Sequence, residues 1–381
     1  MAKVAPLQGL RVVSLEQAAA APLCTRRLAL AGAEVVKIER PEGDFARQYD
    51  SAIYGQSSYF VWLNAGKKSV VLDLKSDEGL AQLLALIARA DVLVQNLKPG
   101  ALATLGIDLD QLHDSRPSFI SVSISGFHPD GPGHERKAYD LLMQAESGLA
   151  EITGSRHEPG RVGVSIVDAA TGMYSYESVL EALLLRNSTG GAEHGQGSRI
   201  HVALFDAVAD LLTVPYLLER YGGSAPDRVG LAHPGICPYG VFASADQRRF
   251  ILSIQNEREW QRLCNIGLQR SDLLADSRCS DNEARVANRA FVDSEVQGVF
   301  AAMNYDAIEV SLTAGDLAFA PVNTLDALKD HPDFRTLTTR VKEYDVPLPQ
   351  VPGLRKPEGL SVPQLGEHTQ EVLADLVIPQ K

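Results

Sequence analysis

The sequence predicts an α/β fold with a large doubly wound, Rossmann-like parallel-sheet domain and a smaller α+β domain. Three observations carry this prediction. The chain opens on a β–α–β unit, and apolar β-branched runs then alternate with helix-forming stretches as far as Leu204. The turn-rich segment Gly222-Gly223-Ser224-Ala225-Pro226 separates that region from one with a different pattern. A chain of 381 residues with 45% hydrophobic content is long enough for two domains. Residues 1–222 are expected to form the large domain, with 330–381 returning to it, and 223–329 the smaller one.

The elements follow in order. Leu10–Leu15 reads as a buried strand, Ala18–Ala31 as an Ala/Leu-rich helix closed by Gly32, and Val35–Ile38 as the next strand. That unit of about thirty residues implies parallel pairing. Asn64-Ala65-Gly66-Lys67-Lys68 leads into a strand at Ser69–Leu74, and Ser76 is placed to cap a helix over Gly79–Ala90. Strands follow at Val92–Gln95 and Phe119–Ile124, the latter running into a Gly/Pro loop through Gly133. A helix is expected after Asp140, another from about Asp168 to Leu184, a strand at Ile200–Leu204 and one long helix over Phe205–Tyr221. In the second domain strands are expected near Tyr239–Phe242 and Phe250–Ile254, and helices near Glu257–Cys264, Glu283–Ala290, Ser294–Met303 and Leu325–Lys329. The Pro-rich stretch Val346–Pro363 and a last short helix close the chain.

Composition excludes several classes. A formal net charge of -12 without a Lys/Arg tract argues against nucleic acid or an anionic membrane as partner. No apolar run is long enough to span a bilayer, and Met1–Leu7 lacks the apolar core of a signal peptide. Cys24, Cys237, Cys264 and Cys279 form no CxxC pair, which fits reduced thiols in a cytoplasm. The histidines show no metal-ligand spacing, so no metal is expected. Although Glu39 sits where a ribose-binding acid would, the first turn, Glu16-Gln17-Ala18-Ala19-Ala20-Ala21-Pro22, has none of the glycines that let a pyrophosphate approach the backbone. NAD and FAD are therefore not expected.

Where an anionic ligand binds an acidic chain, the positive charge must be local. Arg40, Lys75, and Asn96 with Lys98 all stand at or just past the ends of strands, where open α/β sheets bind ligands. Separate Lys and Arg groups there suit phosphates. The other residue singled out is Asp140, at the joint between a polar Gly/Pro loop and the helical run Leu141–Glu146. An Asp in that place caps a helix, or serves as a carboxylate for chemistry.

PLQGLRVVSLEQAAAAPLC with AGAEVVKIERP, then NAGKKSVVLDLKSDEG, VQNLKPGALATLGID, SVSISGFHPDGP, AYDLLMQAESGL and LGEHTQEVL stand in this order over nearly the whole chain. Together they resemble the family III CoA-transferases, the formyl-CoA transferase and carnitine CoA-transferase family, which also includes α-methylacyl-CoA racemases. The resemblance implies coenzyme A, carried as an acyl-CoA donor, a carboxylic acid acceptor, and ring-like subunits interlocked as a homodimer. It implies that the Asp matching Asp140 attacks the thioester, giving an aspartyl mixed anhydride and then an aspartyl-CoA thioester. In the racemase branch a His precedes the aligned Asp, and here that position is Tyr139, a poor base at neutral pH. Asp168 matches the racemases' second acid/base position and is read as structural or on the CoA side. Racemization or isomerization is the alternative activity.

By the same resemblance Arg40, Lys75 and Asn96 hold the adenosine diphosphate part of CoA. Lys98 replaces an Arg, so its contact would be monodentate. Ala19 in the first turn stands where formyl-CoA enzymes have a Gln. Gln17, Tyr139, His233 and Gly235 are expected toward the acyl group, the last two in Gly230–Gly235, which corresponds to a glycine-rich loop of those enzymes. HPGICPYGVF and IQNEREW look most like relatives acting on C4–C5 dicarboxylates: mesaconate, itaconate, citramalate or succinate.

Overall fold

Six short runs rich in Val, Ile and Leu become the strands of one parallel sheet. They are β1 (Arg11–Leu15), β2 (Glu34–Glu39), β3 (Lys68–Val71), β4 (Val92–Gln95), β5 (Ile120–Ser125) and β6 (Arg199–Ala203). Their order is β3-β2-β1-β4-β5-β6, and every neighbouring pair is parallel. This computed structural model describes residues 5–190, 193–353, 359–374 and 376. Between the strands run α1 (Ala20–Leu30), α2 (Ser58–Asn64), α3 (Asp77–Arg89), α4 (Ala101–Thr104), α5 (Leu109–Ser115), α6 (Asp140–Glu146), α7 (Leu149–Ile152) and α8 (Ile166–Asn187), with α9 (Leu204–Leu211) after β6.

Strand side chains alternate between faces, so adjacent residues enter different cores. Val12, Val35 and Val94 pack with Leu28 of α1, Val179 of α8 and Val208 of α9. Val13, Val36 and Leu93 pack with Leu83, Leu86 and Ile87 of α3. Both faces are thus covered, and the near-continuous apolar strands follow from that. Ser76 caps α3, its hydroxyl accepting the Gly79 N–H at 3.0 Å.

Helices α1 and α8 pack closely because position 172 has no side chain. A Cβ there would lie 2.7 Å from the Ala20 carbonyl oxygen and 2.8 Å from Leu23 Cβ. Gly172→Ala is expected to push the helices apart and cost about 1–3 kcal/mol, read as a lower melting temperature.

By its contacts the chain forms two units, one of Met1–Leu149, Val162–Thr213 and Arg335–Lys381, the other of Ala150–Arg161 and Val214–Phe334. The division falls earlier than the expected Gly222, and Ala150–Arg161 groups with the later segment. The long helix expected over Phe205–Tyr221 is instead α9 and α10 (Thr213–Gly222). Pro215 explains the break: it has no N–H to donate back to Leu211, so the helix restarts with Pro215 in its first turn.

The second unit holds the antiparallel sheet β7 (Tyr239–Ala243), β8 (Arg249–Ser253) and β9 (Ala318–Pro321). With it pack α11 (Glu257–Arg262), α12 (Asn282–Ala287), α13 (Arg289–Phe300) and α14 (Tyr305–Ala314), around Phe242, Phe250, Trp260 and Phe300. In the first unit the Pro-rich tail contains elements that its composition hid. A hairpin of β10 (Thr336–Val341) and β11 (Tyr344–Pro349) is joined by β12 (Ser361–Val362) in parallel with β10. Pro347 and Pro349 are tolerated because β11 is an edge strand. The last helix, α15 (Thr369–Ala374), docks on β3, where Thr369 Oγ1 accepts the Val71 N–H at 3.0 Å and Lys68 pairs with Glu371 at 2.8 Å.

Candidate active site

Strands β1 and β4 are neighbours whose chains depart in opposite directions along the sheet, the point at which α/β sheets open a crevice. A cavity of about 560 Å³ lies there, at their carboxyl ends. Gln17, Arg40, Asp44, Leu97, Lys98 and Gly100 are among its lining residues.

Beneath it lies a buried charge network. Lys67 Nζ donates to Glu16 Oε1 at 2.7 Å, to the Pro22 carbonyl at 2.9 Å and to Asn64 Oδ1 at 3.1 Å. The Thr25 hydroxyl donates to Glu16 Oε2 at 2.6 Å, and Lys37 Nζ donates to Asp44 Oδ2 at 2.8 Å. The side chains of both ion pairs that meet at Glu16 are wholly shielded from solvent. Burial opposes ionization of Glu16, but Lys67 and Lys37 outweigh it and hold the carboxyl below its usual range. The neighbouring Glu39 is also occupied: Arg47 donates to both of its oxygens, at 2.8 and 2.7 Å, and the Ser69 hydroxyl at 2.6 Å. Burial would raise its pKa; the Arg47 hydrogen bonds and Lys37 hold it down to about 2. Glu39 is therefore engaged inside the protein, away from any ribose.

The network shapes the first turn. Ala18 adopts φ 62°, left-handed backbone that costs a non-glycine residue about 1 kcal/mol or more. Asn96 brackets the preceding residue, Oδ1 accepting the Gln17 N–H and Nδ2 donating to the Gln17 carbonyl, both at 2.9 Å. This differs from the expected CoA contact: the Asn96 side chain is spent on the backbone of the turn that lines the cavity. Arg40 Nε donates to the Gly43 carbonyl at 3.0 Å, which leaves its other nitrogens for a ligand. Lys98 lines the cavity, whereas Lys75 is exposed one residue past the lining residue Leu74. Ala19 is buried against Leu23 and Leu63 and offers only a methyl group.

Asp140 is the first residue of α6 and 8% exposed. Its Oδ1 accepts the Val167 N–H at 2.8 Å and the Asp168 N–H at 3.2 Å, so it caps the start of α8 as well as opening its own helix. Its Oδ2 accepts Gln144 Nε2 at 2.6 Å, and Gln144 Oε1 in turn accepts the Val162 N–H at 2.9 Å. Each oxygen thus accepts an N–H, and Oδ2, with one donor among the described residues, keeps a lone pair for another partner. The first donors of α8 point at Asp140 rather than at open space. The carboxyl is shielded from bulk water, as the sequence expectation of a nucleophile at this position requires.

The carboxyl of Asp168 lies half-buried with no hydrogen bond among the described residues. Burial, and then the charge of Asp140, pushes its pKa up to about 7. Nearby, the Tyr59 hydroxyl shares a 2.8 Å hydrogen bond with Ser165, and the Tyr49 and Tyr59 rings meet edge-on at 5.6 Å. The Tyr49 hydroxyl is pushed up to about 12 by burial, then by Asp44, Asp168 and Tyr139. Ala169 packs in the same apolar cluster as Ala19, bringing the start of α8 beside the first turn.

In the second unit the ring of His233 stacks on Tyr239 at 5.5 Å, and its Nδ1 accepts the Gly235 N–H at 3.1 Å. Asn282 Nδ2 donates to the Gly235 carbonyl at 2.9 Å. Both residues thus serve the turn itself. Asp44, Gln144, Tyr49 and Tyr59 were not singled out from sequence, since none stands in a motif with a spacing of its own.

Residues 7–369 match the family model described as CoA-transferase family III. The chain belongs to this family. The CoA-transferase is 32% identical over 97% of its length to the succinate–glutarate CoA-transferase of Agrobacterium fabrum, 96% of which is covered. It is 33% identical over 96% of its length to the succinyl-CoA:mesaconate CoA-transferase of Haloarcula hispanica, 95% of which is covered. Among solved structures, a CAIB/BAIF family protein from Brucella suis superposes with a TM-score of 0.83 at 31% identity, covering 98% of this chain and 100% of that one. As in any member of the family, the acyl-CoA thioester is the substrate. Among the described residues no helix of the CoA-transferase is long and apolar enough to cross a membrane.

Proposed function

We propose that this CoA-transferase moves CoA between short dicarboxylic acids, with succinyl-CoA as donor, through a covalent intermediate on Asp140. The observation that carries the choice of residue is the set of N–H donors aimed at this buried carboxyl, from Gln144, Val167 and Asp168. They fix its orientation and supply donors for the negative charge that develops at an aspartyl carbonyl. The relatives named for succinate, glutarate, mesaconate and citramalate support C4–C5 dicarboxylates.

In this reading Arg40 and Lys98 hold CoA phosphates at the cavity rim, and the thioester reaches Asp140. A carboxylate oxygen of Asp140 bonds to the thioester carbon, the C–S bond breaks, and CoA leaves as thiolate with the bonding pair. The thiolate attacks the aspartyl carbonyl, forming an aspartyl-CoA thioester and releasing the donor acid as carboxylate. The acceptor carboxylate reverses both steps and leaves as acyl-CoA, restoring the Asp140 carboxylate with no net proton exchanged. Exchanging one carboxylate for another through a third keeps each step near balance. The apolar packing around Ala169 helps keep water from the anhydride.

The test is succinyl-CoA with mesaconate or glutarate as acceptor, followed by peptide mass spectrometry after a hydroxylamine trap. Label at Asp140 is expected; label at Asp168 overturns the assignment. We further infer a homodimer in the cytoplasm. No residue of α10 is buried, and Val214, Tyr216 and Tyr221 are 65%, 60% and 78% exposed. An apolar surface of this kind fits an interlocked partner copy. Sedimentation at about twice the chain mass is the expected result.

A further inference from the structure

Asp44 touches more of this site than any motif suggests. Its Oδ1 accepts the Ala18 N–H at 3.2 Å and the Ala46 N–H at 2.9 Å, while its Oδ2 accepts Lys37 Nζ at 2.8 Å. Its own N–H donates to Glu39 Oε2 at 3.0 Å. The side chain is 2% exposed and borders the cavity. It therefore holds two segments at once. One is the turn Gln17–Ala18, kept in left-handed backbone at Ala18. The other is the 3-10 turn Phe45–Gln48, which Asp44 caps and which delivers Tyr49. From Tyr49 the contacts run on through the edge-on Tyr59 ring to Ser165, the residue before α8.

We infer that Asp44 is a positioning residue for transfer: it locks the cofactor-lining turn to the tyrosine wall that ends at the start of α8, whose N–H groups hold Asp140, so that a bound thioester and its nucleophile stay in register. The inference rests on the function proposed above. Lys37 supplies the opposing charge that keeps Asp44 oriented, with Glu16 as the second anion facing Lys37 at 3.5 Å. Ala18 cannot relax this arrangement alone, because its N–H needs an acceptor and its backbone is already strained. A shift of about 1 Å at either segment separates reacting groups that must approach to about 3–3.5 Å.

The experiment compares Asp44→Ala with the double variant Lys37→Gln/Asp44→Asn. The Ala variant removes the acceptor of Ala18. The double variant discharges the pair but keeps an amide oxygen for Ala18 and Ala46. The readout is the single-turnover rate of adduct formation from saturating succinyl-CoA, counted per active site by mass spectrometry, alongside the melting temperature. Asp44→Ala is expected to form the adduct at least about 10-fold more slowly with full final stoichiometry, and the double variant to stay within about threefold of wild type. A purely structural role would lower melting temperature and site count while leaving the rate per site unchanged, which overturns the inference. Should Asp44→Ala fail to fold, the double variant decides alone: a wild-type rate supports the anchor, and a tenfold loss overturns it. Where the wild-type adduct forms identifies the nucleophile separately, so failure of that reading is distinguishable from failure of this one.

Discussion

Asp140→Ala loses CoA transfer by at least about 10⁴-fold, the scale seen when a covalent nucleophile is removed. CoA binding survives, since Arg40, Lys98 and the first turn are untouched, while the Val167 and Asp168 N–H groups and Gln144 lose their acceptor at a cost of about 1–3 kcal/mol of stability. Asp168→Asn gives the contrasting result: transfer survives, with an altered pH profile. In wild type Asp168 ionizes through about pH 7 and puts a second negative charge beside Asp140, so kcat/KM for acyl-CoA falls as pH rises through that value. The Asn variant, which carries no such charge, is expected to lose that fall. An Asp168 variant that abolishes transfer while Asp140→Ala retains it would reverse the roles.

Stability gives an independent sign. The folded-state pKa of Asp168 lies above that of an unfolded carboxyl, so between about pH 4 and 7 the folded state binds more protons. Stability from this group is lost as pH rises through that window and stays lost above it. Asp168→Asn is consequently expected to melt higher than wild type above about pH 7.

Lys67→Met lowers the melting temperature by on the order of 10 °C. It removes one partner of a fully buried pair and leaves Glu16 with Lys37 at 3.5 Å and the Thr25 hydroxyl. Breaking such a pair costs about 3–5 kcal/mol because the remaining buried charge loses its closest cation and keeps only the more distant one. The Pro22 carbonyl and Asn64 Oδ1 lose their donor as well. The double variant Glu16→Gln/Lys67→Met, which removes the stranded charge, is expected to recover part of the loss. Calorimetric melting of the three proteins checks this.

The sheet was legible because its strands are buried on both faces and so appear as apolar runs; β1, β2 and β4 fall within a residue or so of their expected places. The tail was not, because Pro347 and Pro349 mask an edge strand whose pairing depends on β10. At the site, Asp140 was visible as the start of a helix. What holds its carboxyl depends on where the start of α8 lands, and that contact spans 28 positions with no periodic signal. Asn96 presents the same difficulty. An amide at a strand end can meet a ligand or a backbone, and only the proximity of Gln17 decides.

The route of the chain through its two units bears on how it is made. Lys68 and Val71 on β3 bond to Glu371 and Thr369 across about 300 positions, with the whole second unit emerging in between. During synthesis the outer edge of the large sheet therefore waits uncovered until residues 369–374 leave the ribosome. Closures over such a span are slow to form. A nascent protein stalled before residue 360 would present that bare edge to other chains, and release of α15 is what ends the exposure.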